Sequence, residues 1–242
     1  MHGKGQFLAS GRDDLAITDA SEGVGSFRAR RGRPCQIAGP ERRQLLLDAA
    51  ENVFLRSGYS SASMDDIARA AGMSKKTLYR VFDTKEALFA AVVAARRATL
   101  DATIDAAECT GLDDAEAALR RFMGSIARFV LAPRQAALYR LVIAEAQRAP
   151  ELAHAFYNEG PCKARAPLVD FLARLNACGT LHVSDPESAA RMLFSMVIAD
   201  LQMCLFVGEI GAPGDSQIEQ SVMRAVDLFL HGAMPRREKS TR

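Results

Sequence analysis

The sequence predicts an all-α protein in two parts: an N-terminal unit of three helices containing a helix-turn-helix, and a larger helical C-terminal domain. Apolar residues recur at three- and four-residue intervals through most of the chain after Pro40. Capping Ser, Thr and Asp and helix-stopping Gly stand at the ends of these runs. Strand-like alternation and internal repeats are not seen.

Residues 1–39 lack helical periodicity and are rich in Gly, Ser and Arg, so a disordered basic arm is expected. Its end, Arg28 to Pro34, holds four arginines. Arg31 and Arg33 flank a Gly just ahead of the first helix. Such an arm suits either the DNA minor groove or general phosphate attraction.

The first helix runs from Pro40 to Ser57, with a stripe of Leu45, Leu46, Ala49, Ala50, Val53 and Phe54, and Gly58 ends it. Ser63 caps a second helix, and Asp66 three residues on suits a capping box. Ile67, Ala68 and Ala71 form its apolar face, and Gly72 supplies the left-handed stop. Ser74 caps a third helix, Lys75 to Phe82, roughly 12 Å long at 1.5 Å per residue. A rod of this size fits the major groove.

On a helical wheel Lys75, Lys76, Tyr79 and Arg80 share one face, and Leu78, Val81 and Phe82 the opposite one. Thr77 sits at the margin, where its hydroxyl reaches a phosphate or a base edge. Thr84 caps the next helix, which runs to about Ala107. Lys85 stands in its first turn, where a cation opposes the helix dipole and a nearby phosphate would explain it. The candidate DNA contacts are therefore Arg31, Arg33, Ser63, Ser74, Lys75, Lys76, Thr77, Tyr79, Arg80 and Lys85.

Charge distribution agrees. The whole chain of 242 residues carries a formal charge of only +2, yet twelve basic residues face six acidic ones between Arg28 and Lys85. The remainder is net acidic.

Glu41 to Phe89 resembles the DNA-binding domain of TetR/AcrR-type transcriptional regulators. The resemblance rests on Ala49, Ala50, Phe54, Gly58, Tyr59, Asp66-Ile67-Ala68, Ala71-Gly72-Met73-Ser74, Thr77-Leu78-Tyr79, Phe82 and Lys85 to Phe89. It implies that Thr77, Tyr79 and Lys85 touch the DNA backbone, and that Ser74 to Arg80 enter the major groove of a double-stranded operator. The DNA-binding domain is then 40–89. Val81 departs from the family, which usually has His or Tyr there, so no phosphate contact is carried over to it.

The C-terminal domain, 90–234, reads as helices throughout. They span Asp113–Leu131, Arg134–Arg148, Glu151–Ala177 with a break near Gly160-Pro161, Asp185 to Val207, and Ser216–His231. Residues 235–242 form a tail. Leu131 to Ala190 resembles the C-terminal domain of the AefR-like subset. The matching residues are Pro133-Arg134, Leu138 to Val142, Glu145-Ala146, Pro150-Glu151-Leu152, Phe156-Tyr157, Gly160-Pro161 and Asp185-Pro186.

The helix ending at Val207 is apolar almost all round and needs cover on two sides. A second copy of the chain supplies one. The expected homodimer interface uses the last two helices, with Met192, Met203, Phe206, Val222, Val226 and Phe229. Dimerisation presents two recognition helices to a pseudo-palindromic site, and the resemblance implies a repressor.

Glu145 and Asp200 lie on apolar faces. Either they read a polar group of a small hydrophobic or amphipathic effector, in a pocket lined by Phe122, Phe129, Phe156, Tyr157 and Met196, or they pair internally with an arginine such as Arg140 or Arg191, or lie exposed. The five cysteines form no Cys-x-x-Cys pair and the four histidines do not cluster with them, so no metal or cofactor is expected. No nucleophile–base pair or phosphate-cradling glycine loop suggests an enzyme. Met1 to Ser21 has no signal-peptide core, and Arg191 and Asp200 interrupt the most apolar run. A cytoplasmic protein with reduced thiols and no membrane span is expected.

Overall fold

The structure, a computed structural model, describes residues 39–100 and 111–232. The expectations for Arg31, Arg33 and the tail 235–242 lie outside the described residues. Among the described residues there is helix and no strand.

The first helix, α1, spans Gly39–Ser57 and buries Leu46, Leu47, Ala49, Ala50, Val53 and Phe54. The expected stripe is shifted by one flank. Leu45 is 43% exposed and Leu47 is buried instead. Adjacent leucines on a helix differ by about 100°, and the helices packed against α1 decide which is covered. The same face carries Glu51, only 4% exposed. Gly58 closes α1 at φ +81°, a left-handed conformation that strains any residue with a Cβ.

Helix α2 is Met64–Ala70, and α3 is Lys75–Tyr79. Gly72 between them has φ +66°. Helix α3 stops earlier than its sequence suggests. Arg80 is its cap, and the Val81 and Phe82 amides both bond the Leu78 carbonyl at 2.9 Å. Phe82 stays in the core, but Val81 leaves the helical frame and is exposed, which corrects its expected place on the core face. Thr84 caps α4, Lys85–Ala98, by accepting from the Ala87 amide.

The remaining helices are α5 (Leu112–Leu131), α6 (Pro133–Glu145), α7 (Pro150–Tyr157), α8 (Lys163–Ala177), α9 (Pro186–Val207) and α10 (Asp215–His231). The break expected near Gly160-Pro161 takes the form of a π turn, Asn158–Cys162. Pro161 lacks an N–H and cannot continue the α pattern. Pro186 occupies the first turn of α9, and Asp185 caps it by accepting from the Glu187 amide.

Two hydrophobic cores result. One joins α5, α8, α9 and α10 through Phe122, Met123, Phe171, Leu193 and Val226. The other joins α1–α4 to α6 and α7. At its centre Phe54, Tyr59 and Phe89 meet with ring centroids 5.5–5.6 Å apart. Leu138, Val142, Leu152 and Phe156 of α6 and α7 belong to the same core, so the first bundle is seated directly on these helices.

Candidate nucleic-acid interface and the cavity behind it

Leu78 is fully buried and fixes α3 to its neighbours. Lys75, Lys76, Tyr79 and Arg80 then stand exposed on the outward side. Ser74 Oγ accepts from the Thr77 amide at 3.2 Å and lies 2.8 Å from Thr77 Oγ1. Two hydroxyls are thereby held at the start of the helix. Lys75 Nζ donates to the Asp65 carboxylate of α2 at 3.1 Å, which holds the ammonium pKa above its ordinary value. The same nitrogen lies 5.8 Å from the Tyr79 ring centroid.

Ser63 caps α2, accepting from the Asp66 amide at 3.1 Å, and its hydroxyl donates to the Asp66 carboxylate. That hydrogen bond is the main reason the Asp66 carboxyl titrates below its usual range.

Lys85 has a partner the sequence does not reveal. Its Nζ donates to the carbonyls of Tyr59 at 2.8 Å and Ala62 at 3.1 Å, over the face of the Tyr59 ring. Both carbonyls lie in the α1–α2 connection, so a protein partner already accounts for a cation in the first turn of α4. An ammonium has three N–H donors, and one remains beyond these two bonds.

The expected ligand pocket is rearranged. A half-open cavity of about 200 Å³ lies between α4, α5, α6, the π turn, α8 and α9. Of the seven residues expected around a ligand only Phe129 lines it. Phe122 is buried in the α5 core, and Phe156 packs edge-on against the Tyr139 ring at 4.6 Å, behind the cavity wall. Tyr157 is largely exposed and accepts from Arg165 at 3.3 Å. Met196 and Asp200 line a separate shallow depression between α9 and α10.

Glu145 is not in the cavity. Its carboxylate accepts from the Ser60 hydroxyl and amide in the α1–α2 connection, because α6 ends beneath that loop. Neither expected arginine pairs with it. Arg140 donates to the Leu205 carbonyl and lies over the Phe206 ring, and Arg191 approaches Glu187. The cavity instead carries Arg97, Gln135, Tyr139 and Arg165. Arg165 had a signal in the sequence. It stands one helical turn before Leu168, in line with Leu172 and Leu175, on the face that α8 buries.

The dimer expectation divides as well. Met192 and Met203 of α9 are 63% and 62% exposed, as an intersubunit face requires. Val222 and Val226 are buried inside the subunit against α5 and α9, and Phe229 is half-buried on the same core. They pack within one chain because the apolar stripe of α10 turns toward α5. Phe206 is half-buried, with its ring 5.9 Å from that of Tyr139. The exposed apolar residues of α10 are Met223 and Leu228.

Residues 46–92 match the profile of bacterial regulatory proteins of the tetR family. Residues 117–232 match that of the AefR-like transcriptional repressor C-terminal domain. The solved structure of the flavonoid-responsive regulator FrrA is 34% identical, with a TM-score of 0.69 over 83% of this chain and 100% of that one. This chain belongs to the TetR family. A TetR-family structure from Mesorhizobium loti is 25% identical, with a TM-score of 0.62 over 80% of this chain and 97% of that one. The transcriptional activator FasR of Mycolicibacterium smegmatis is 41% identical over 80 residues, which is 33% of this chain and 36% of FasR. The chain thus spans only about a third of that curated relative. As a TetR-family member the protein is a DNA-binding transcriptional regulator.

Proposed function

We propose that this TetR-family regulator is a homodimeric repressor, released from a pseudo-palindromic operator by a small-molecule effector. The observation that carries this is the split of α3. Leu78 is buried, while Lys76, Tyr79 and Arg80 face outward with no core to cover. That face supplies donors for phosphates and base edges in a major groove. Ser63, Ser74, Lys75, Thr77 and the remaining Lys85 donor flank it, within a DNA-binding domain of residues 40–89. Residues 90–234 form the regulatory domain.

Dimerisation is supported by the unpartnered apolar surface of Met192, Met203 and Val207 on α9 and Met223 and Leu228 on α10. Helix α9 is the one described helix long and apolar enough to cross a bilayer. A second copy packed on its open side accounts for that character in a cytoplasmic protein. Effector control is supported by the cavity beneath α4 and by the name of FrrA, a flavonoid-responsive protein. Repression follows the AefR-like match, whereas FasR is an activator.

Selection of bound duplexes from a random pool at physiological salt tests the proposal. An enriched inverted repeat is expected. Binding without enrichment, fading uniformly with salt, would replace it with a non-specific architectural DNA-binding protein.

A further inference from the structure

We infer that the cavity beneath α4 takes an amphipathic organic acid, whose carboxylate is held by Arg165. This rests on the cavity being the effector site and assigns the chemical class of effector.

The charge balance of the wall points to an anion. Its charged residues are Arg97 and Arg165, and no carboxylate is among the lining residues. Arg97 Nε already donates to the Glu159 carbonyl at 2.9 Å. Arg165 is less well supplied. It is 7% exposed, its Nε is buried with no hydrogen-bond partner, and its Nη2 makes only long contacts, 3.3 Å to Tyr157 Oη and 3.4 Å to Glu187. Glu187 is itself 45% exposed, so the guanidinium is more deeply buried than its counter-ion. A guanidinium presents a planar fork of donors that a carboxylate fits with two bonds.

Gln135 on α6 is the second observation. It is 5% exposed, lines the same cavity, and leaves its carboxamide Oε1 buried without a partner, an acceptor that suits a hydroxyl or N–H elsewhere on the ligand and not its carboxylate. Under-bonded polar groups from two helices therefore meet one cavity. Buried polar groups are otherwise nearly always paired. Ile126, Phe129, Phe194 and Ile198 supply the apolar remainder of the wall, which suits a ring or short chain attached to the acid.

The test uses the full-length protein and two matched probe pairs, cinnamate with cinnamamide and octanoate with octanamide, titrated calorimetrically at neutral pH. At least one acid is expected to bind ten or more times tighter than its amide. Arg165→Gln should abolish that preference while helicity and operator affinity without ligand stay as in the natural chain. Arg165→Lys, which keeps the charge but loses the fork, should retain part of it. Neither acid binding tenfold tighter than its amide would overturn the inference. So would a folded Arg165→Gln protein that keeps the preference. If that variant fails to fold, the acid–amide comparison on the natural chain decides alone. The repressor proposal is judged separately by the duplex selection. Operator release by a neutral compound without an acid preference would sink the effector class and leave the repressor standing. An Arg165-dependent acid preference without operator enrichment would do the reverse.

Discussion

Arg134 of α6 grips Glu51 of α1 with two parallel hydrogen bonds, each 2.9 Å long. Arg96 of α4 approaches the same carboxylate at 3.5 Å. Glu51 lies in α1, Arg134 in α6 and Arg96 in α4. One buried carboxylate thus ties three helices together.

Removing one partner leaves that carboxylate under-compensated. Arg134→Met should destabilise the protein by about 1–3 kcal/mol in urea unfolding, below the cost for a fully buried pair because Arg134 is 45% exposed. Combining it with Glu51→Gln should cost less than the sum of the single changes. Strict additivity would show that the two residues do not act as a unit.

Lys76 faces outward and should act as a phosphate contact. Lys76→Met should weaken binding to all duplexes alike and lower the slope of log affinity against log salt by about one. An unchanged slope would remove Lys76 from the interface.

Lys85→Met should lower thermal stability even without DNA, since the carbonyls of Tyr59 and Ala62 lose their donor. A melting temperature equal to that of the natural chain would show that these bonds contribute nothing.

The exposed and buried apolar residues of the last two helices should behave differently. Met203→Glu places a charge on the open face of α9 and should yield folded monomers in sedimentation velocity. Val226→Ala removes volume from the subunit core and should cost about 2 kcal/mol without changing the association state. Dimers that persist in Met203→Glu would move the interface elsewhere.

The Ser60 hydroxyl bonded to Glu145 holds that carboxyl below the usual range. A carboxyl with a depressed folded-state pKa favours folding above its unfolded value and loses that contribution as pH falls through the folded value. Acid should therefore loosen the joint between α6 and the α1–α2 connection. Glu145→Gln should flatten this part of the pH–stability curve below the ordinary carboxylate range. An unaltered acid limb would show that the bond does not matter in solution.

Much of the fold was legible from residues one turn apart. Ser63, Ser74 and Thr84 cap the helices they were expected to cap, and Gly58 and Gly72 take the positive φ their positions demand. Caps and turns are local chemistry, set within three or four residues, so the sequence by itself determined them. It also placed the cationic side of α3, because Leu78 has one way to face the core.

The tertiary structure decided what depends on which helices converge. It chose Leu47 over Leu45, released Val81 to the surface, and turned Val222 and Val226 inward. It sent Glu145 to Ser60 rather than to a ligand, and gave the cavity Arg165 and Gln135. Helical periodicity marks an apolar side to within a flank but carries no record of its neighbour. The partner of a buried charge is fixed only when distant segments meet.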